Sequence, residues 1–152
     1  MKAIRITKTG DANVLTLQDV PEPIPGPGEA LVRLKAAGLN FIDIYQRIGR
    51  YAKPLPFTPG LEGAGIVEAV GEGVTEVRTG ARVVYTGTLG TYAQMALVKA
   101  TDLILLPPEL TFEQGAAFPL QGMTAQYLVH EYYPIKKGTT VLVHAAAGGV
   151  GL

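Results

Sequence analysis

The chain has 152 residues, thirteen lysines and arginines against thirteen aspartates and glutamates, and no cysteine. The balanced charge excludes a bulk field that would draw it to nucleic acid or an anionic membrane, and the lack of thiols excludes disulfides and thiolate zinc sites. With 47% hydrophobic and 17% charged residues, the composition is that of a folded domain rather than a disordered tail.

The opening MKAIRI is predicted to be a strand. It lacks the apolar core of a signal peptide, and no uncharged apolar run of about 18 residues follows; a cytoplasmic location is expected. Residues 20–29, VPEPIPGPGE, hold four prolines and two glycines and must form a stiff, extended loop. Residues 30–39, ALVRLKAAGL, alternate apolar and charged positions as a strand does. Further strands are expected in 63–74, 81–88, 90–98 and 102–107. Short strands at this spacing, with little helix between, argue for a small β-barrel or sandwich.

The character changes near Pro107 and Pro108. Thr111 and Gln114 form a capping-box pattern that can start a helix. A longer helical run is predicted over about 120–132, then a turn in KKGTT. TVLVHAA, residues 140–146, is apolar on both faces and reads as a buried strand of a parallel sheet.

A glycine turn follows, Ala146-Ala147-Gly148-Gly149-Val150-Gly151. It matches the second and third glycines of the dinucleotide fingerprint G-x-G-x-x-G, with Ala146 replacing the first. Gly148 would let the backbone approach a pyrophosphate, and Gly151 would let a helix pack close to the strand. The competing reading is a tight turn with no ligand. His130 and His144 lack a paired carboxylate pattern and read as structural; Asp43 and Glu62 read as groups that bond local backbone. No G-x-S-x-G, H-E-x-x-H or Walker sequence supports hydrolysis or phosphoryl transfer.

Six segments in order carry a family resemblance: GLNFIDIYQRIGRY (38–51), PGLEGAGIVEAVGEGV (59–74), GARVVY (80–85), the proline and capping-box region (107–119), QGMTAQYL (121–128) and VLVHAAAGGVGL (141–152). Through them the chain resembles the zinc-free quinone oxidoreductases, the zeta-crystallin-like branch of the medium-chain dehydrogenase/reductase superfamily. The resemblance implies a mainly β fold with some α. Residues 1–120 would form a GroES-like β-barrel catalytic domain. Residues 121–152 would supply a helix, the first strand and the glycine turn of a Rossmann nucleotide-binding domain. Since one crossover unit alone takes about 30 residues, the chain is expected to be a portion of a protein about twice as long, with little cofactor affinity by itself.

The implied activity is NADPH-dependent quinone reduction, by hydride transfer without zinc. In the zinc alcohol dehydrogenases of the superfamily a cysteine stands where this chain has Asn40, and a histidine where it has Leu61. Neither Asn40 nor Leu61 can serve as the thiolate or imidazole ligand of a catalytic zinc. The resemblance places Asn40 and Tyr45 at the nicotinamide end, with Gln121 and Thr124 beside it. Tyr51 or Tyr45 would donate a hydrogen bond to the substrate oxygen. Gly148, Gly149, Val150 and Gly151 would meet the pyrophosphate. For Thr124 the competing reading is a helix-interior hydroxyl bonding its own backbone; for the tyrosines it is aromatic packing. The implied partners are a quinone or another small electrophilic carbonyl compound and, for the full-length protein, a second copy; no nucleic acid or membrane partner is expected. The segment that would separate NADP from NAD lies beyond these residues. Rival readings are an alkenal, enone or enoyl reductase of the same superfamily, a non-catalytic structural or RNA-binding zeta-crystallin-like protein, and a GroES-like interaction module.

Overall fold

The structure, a computed structural model, describes all 152 residues. Seven strands form two sheets: β1 (Lys2–Arg5) pairs with β2 (Thr16–Asp19), and β3 (Glu29–Ala37), β4 (Glu62–Val70), β5 (Arg82–Thr86), β6 (Met95–Lys99) and β7 (Ile104–Leu105) form a five-stranded sheet ordered β6-β3-β4-β5-β7. All pairings are antiparallel. The helices are α1 (Phe41–Arg47), α2 (Phe112–Ala116) and α3 (Pro119–Tyr127), which runs on into a π-helical turn over Leu128–Tyr132.

The period-two rule places the core. Along β5, Val83 and Tyr85 face one cluster with Ala30, Val32, Val67 and Val98, while Val84 faces another with Ala64, Leu106 and Ala116. Helix α2 covers the second face, lying against β3, β4 and β5. Within the sheet, glycine lets β4 lie close to β3: a Cβ at Gly65 would collide with the Arg33 carbonyl across the ladder.

The strands expected from MKAIRI and from residues 30–39, 63–74, 81–88 and 90–98 are present as β1, β3, β4, β5 and β6; the one expected over 102–107 shortens to β7. Two expectations need correction, and two elements, β2 and α1, lie outside the predicted set. The strands do not close into one barrel ladder; single bridges, Ala3 to Ala93 and Ile6 to Phe57, tie the two sheets together. The strand expected over 140–146 does not form: Val141, Leu142 and Val143 are exposed and pair with no strand. A buried parallel strand needs neighbours for its N–H and C=O groups, and none of the seven strands lies alongside.

Tyr85 is fully buried and its hydroxyl has no partner. Tyr85→Phe is therefore expected to raise stability at neutral pH by about 1 kcal/mol. Burial also raises the phenol's pKa above its ordinary value. The unfolded phenol ionises above about pH 10 while the folded one stays neutral, so stability falls by about 1.4 kcal/mol per pH unit there. The advantage of Tyr85→Phe should widen by about 1 kcal/mol between urea-unfolding free energies measured at about pH 10 and about pH 11, where the unfolded phenol goes from half to nearly fully ionised. An advantage that does not grow would assign the alkaline loss to other groups.

Candidate functional site

Asn40 sits at the entry to α1, its extended backbone (φ −130°, ψ 150°) turning the end of β3 into the helix. Asp43 stabilises that turn: its Oδ2 accepts the Asn40 N–H at 2.9 Å, and its own N–H donates to the Asn40 carbonyl at 3.0 Å. The same Oδ2 accepts the Tyr92 hydroxyl at 2.8 Å. Asp43 is buried, and its Oδ1 has no partner. Burial first, and then the Asp43 carboxylate, pushes the Tyr92 phenol above its ordinary range.

The Asn40 side chain turns to Glu62, the first residue of β4. Asn40 Nδ2 donates to Glu62 Oε2 at 2.9 Å, and the Leu120 N–H at the start of α3 donates to Glu62 Oε1 at 2.7 Å. Glu62 is 1% exposed. Gly38 makes room for it, since a Cβ there would strike the Glu62 carboxylate and the Ala116 carbonyl. A carboxylate only accepts, so the amide nitrogen of Asn40 must face Glu62. That leaves Asn40 Oδ1 as the acceptor this residue can offer.

A cavity of about 270 Å³ opens beside this group, lined by Gly38, Glu62, Ala116 and Gln121. A second, of about 320 Å³, is lined by Asn40 itself with Leu39, Phe41, Asp43, Ile44 and Tyr92. The widest hollow, about 1010 Å³ between 75–82 and 105–108, contains none of the candidate residues.

Gln121 is brought to the glycine turn. A Cβ at Gly149 would stand 3.0 Å from Gln121 Cγ and Nε2, and Gln121 Oε1 is buried without a partner. Gly148 N–H donates to Ala145 and Gly151 N–H to Gly148, whereas the Gly149 and Val150 amides donate to no backbone carbonyl. Gly151 needs its missing Cβ, which would stand 2.6 Å from Ala146 Cα. Thr124 Oγ1 donates to the Leu120 carbonyl at 2.6 Å, the self-bonded state of a helix-interior threonine.

Tyr45 and Tyr51 meet edge to face, centroids 5.6 Å apart at 77°. The Tyr51 N–H bonds the Tyr45 carbonyl at 3.1 Å, and the Arg50 guanidinium lies 4.9 Å over the Tyr45 ring. Neither tyrosine hydroxyl is bonded within the chain. His130 and His144 are exposed. Asp43 bonds local backbone as expected; Glu62 does not stay local, since it reaches a side chain and an amide on two other segments. Its signal in the sequence was a lone acid inside the glycine-rich apolar run GLEGAGIV. Such a charge must be buried with partners if the run is a core strand.

Residues 26–108 match the alcohol dehydrogenase GroES-like domain family. The chain is 48% identical to a quinone oxidoreductase of Pseudomonas aeruginosa over 99% of its length and 47% of that protein. It is 40% identical to the human synaptic vesicle membrane protein VAT-1 homolog over 100% of its length and 40% of that protein. Its fold superposes with a TM-score of 0.95 on the Escherichia coli quinone oxidoreductase solved in complex with NADPH, at 42% identity, covering 99% of this chain and 47% of the other. The chain thus spans about half the length of the quinone oxidoreductases it matches.

Proposed function

Because the chain belongs to the alcohol dehydrogenase GroES-like domain family, we propose that it is the N-terminal portion of an NADPH-dependent oxidoreductase that reduces quinones without a metal. The observation that carries this reading is Asn40: where the zinc enzymes need a thiolate, this chain places an amide whose nitrogen is committed to Glu62. Within the reading, residues 1–120 form the catalytic domain and 121–152 open the nucleotide-binding one. A cytoplasmic homodimer without nucleic-acid or membrane partners completes it.

The groups present fit a pyridine dinucleotide. Gln121 holds an unused acceptor oxygen, Asn40 turns its Oδ1 away from Glu62, and the Gly149 and Val150 amides are unused donors. In our reading Asn40 Oδ1 accepts from the nicotinamide carboxamide, Gln121 and Thr124 border the same end, and the turn Gly148–Gly151 meets the pyrophosphate with the amides of Gly149 and Val150. NADPH, when bound, supplies the hydride. The Tyr45 or Tyr51 hydroxyl, free of internal partners, donates to the quinone oxygen as negative charge builds there. A quinone needs only such a donor, because its conjugated carbonyls accept hydride directly.

The test is a steady-state assay of the whole protein with NADPH against quinones, enones and enoyl thioesters, together with metal analysis. Preferred turnover of quinones by metal-free protein is expected, with Tyr45→Phe lowering kcat about tenfold and KM for NADPH changing less. Preferred turnover of enones or thioesters would replace the substrate, and dependence on bound zinc would overturn the reading. An unchanged kcat in Tyr45→Phe would remove Tyr45 as the donor.

A further inference from the structure

We propose that Glu62 is a positioning residue that sets two walls of the cofactor cleft at once, fixing the amide of Asn40 with one carboxylate oxygen and the start of α3 with the other. This inference rests on the functional reading above, which places Asn40, Gln121 and Thr124 at the nicotinamide end.

Glu62 is joined to partners on either side of it in the chain: Asn40 lies 22 residues before it and Leu120 lies 58 residues after it. Neither partner is a cation. Two N–H donors hold the buried carboxylate, one of them at the positive end of a nine-residue helix. Phe118, at the cap position of α3, supplies no side-chain acceptor, so Glu62 supplies it from another element. The helix start is thereby pinned to β4, and Gln121 follows Leu120 directly.

The second effect is on Asn40. An asparagine amide can sit either way round, and the two orientations present opposite chemistry to a ligand. With a carboxylate behind it, only the orientation that turns Oδ1 away from Glu62 avoids an acceptor facing an acceptor. Glu62 thus selects what Asn40 shows the nicotinamide without touching it. Glutamine at position 62 keeps the length but has one acceptor oxygen and a donor NH2, so it cannot accept from both Asn40 and Leu120. Aspartate keeps both oxygens but is one methylene too short to hold both donors from the same backbone position.

The experiment uses the whole protein, with NADPH affinity read from nucleotide fluorescence. Glu62→Gln is expected to raise the dissociation constant about tenfold. Asn40→Ala should weaken binding comparably, and the double variant should be little weaker than the weaker single one, because Glu62 acts partly through Asn40. Fully multiplicative losses, or an unchanged constant in Glu62→Gln, would overturn the role. Should the variants fail to fold, amide exchange in the wild-type protein decides. Leu120 N–H is expected to exchange at least about tenfold more slowly than an unbonded amide in the first turn of a helix, and equal rates would refute the clamp. Wild-type protein that binds NADPH while the variants behave independently sinks the Glu62 role alone. Wild-type protein that binds no NADPH sinks the functional reading and this inference with it.

Discussion

Gly38→Ala is expected to destabilise the protein by about 3 kcal/mol and to weaken NADPH binding with it. The added methyl would lie 2.5 Å from the Ala116 carbonyl and 3.0 Å from Glu62 Cδ, and closer still to Glu62 Oε2. Neither neighbour can give way cheaply. The carbonyl is backbone at the end of α2, and the carboxylate is held at both oxygens, by Asn40 and by Leu120. Relief requires the end of β3 to shift, which also breaks the 2.9 Å bond from the Gly38 N–H to the Glu62 carbonyl. Urea unfolding of wild type and variant measures this; a loss under about 0.5 kcal/mol would mean that the strand end moves freely.

Asp43→Ala should cost a similar amount, about 3 kcal/mol, through different groups. It strips the acceptor from the Asn40 N–H at the entry to α1 and leaves the Tyr92 hydroxyl without its partner. Asp43→Asn is expected to lose only about 1 kcal/mol. An asparagine can place its oxygen where Oδ2 now accepts both donors, and its NH2 where Oδ1 has no partner. Comparable losses from the two variants would mean that the negative charge, not the acceptor, holds the turn. Ultraviolet titration provides a second readout. Because burial is the first cause of the raised Tyr92 phenol, its pKa in Asp43→Ala should fall but stay above the ordinary value.

The strand alternation of 30–39 and the T-x-x-Q box at Thr111 were legible because they depend on near neighbours: β3 and α2 stand where the pattern places them. Helix α1 had a comparable local signal, Asn40 followed three residues later by Asp43, but only seven residues of helix follow it. So short a run has no full apolar stripe to read. The segment 140–146 misled for the opposite reason. Its apolar run reports a preference for burial, while a strand also needs neighbours, which composition cannot supply. At the site, residue types were readable and their partners were not. Nothing local to Glu62 points to Leu120, because that contact is made by the fold of β4 against α3. Thr124 shows the same limit in reverse: its helical context, not its motif, accounts for the bond it makes.

The attachment of Leu120 to Glu62 also bears on recombination between relatives. Helix α3 begins at Pro119, so a chimera spliced between 120 and 121 would join two parents inside the first turn of a helix. The donor half would inherit its starting height from the recipient's glutamate. Grafts that keep glutamate at position 62 and a non-proline residue at 120 should seat a foreign glycine turn in the recipient's frame. Grafts that lose either would leave that turn adrift, however well each parental half folds.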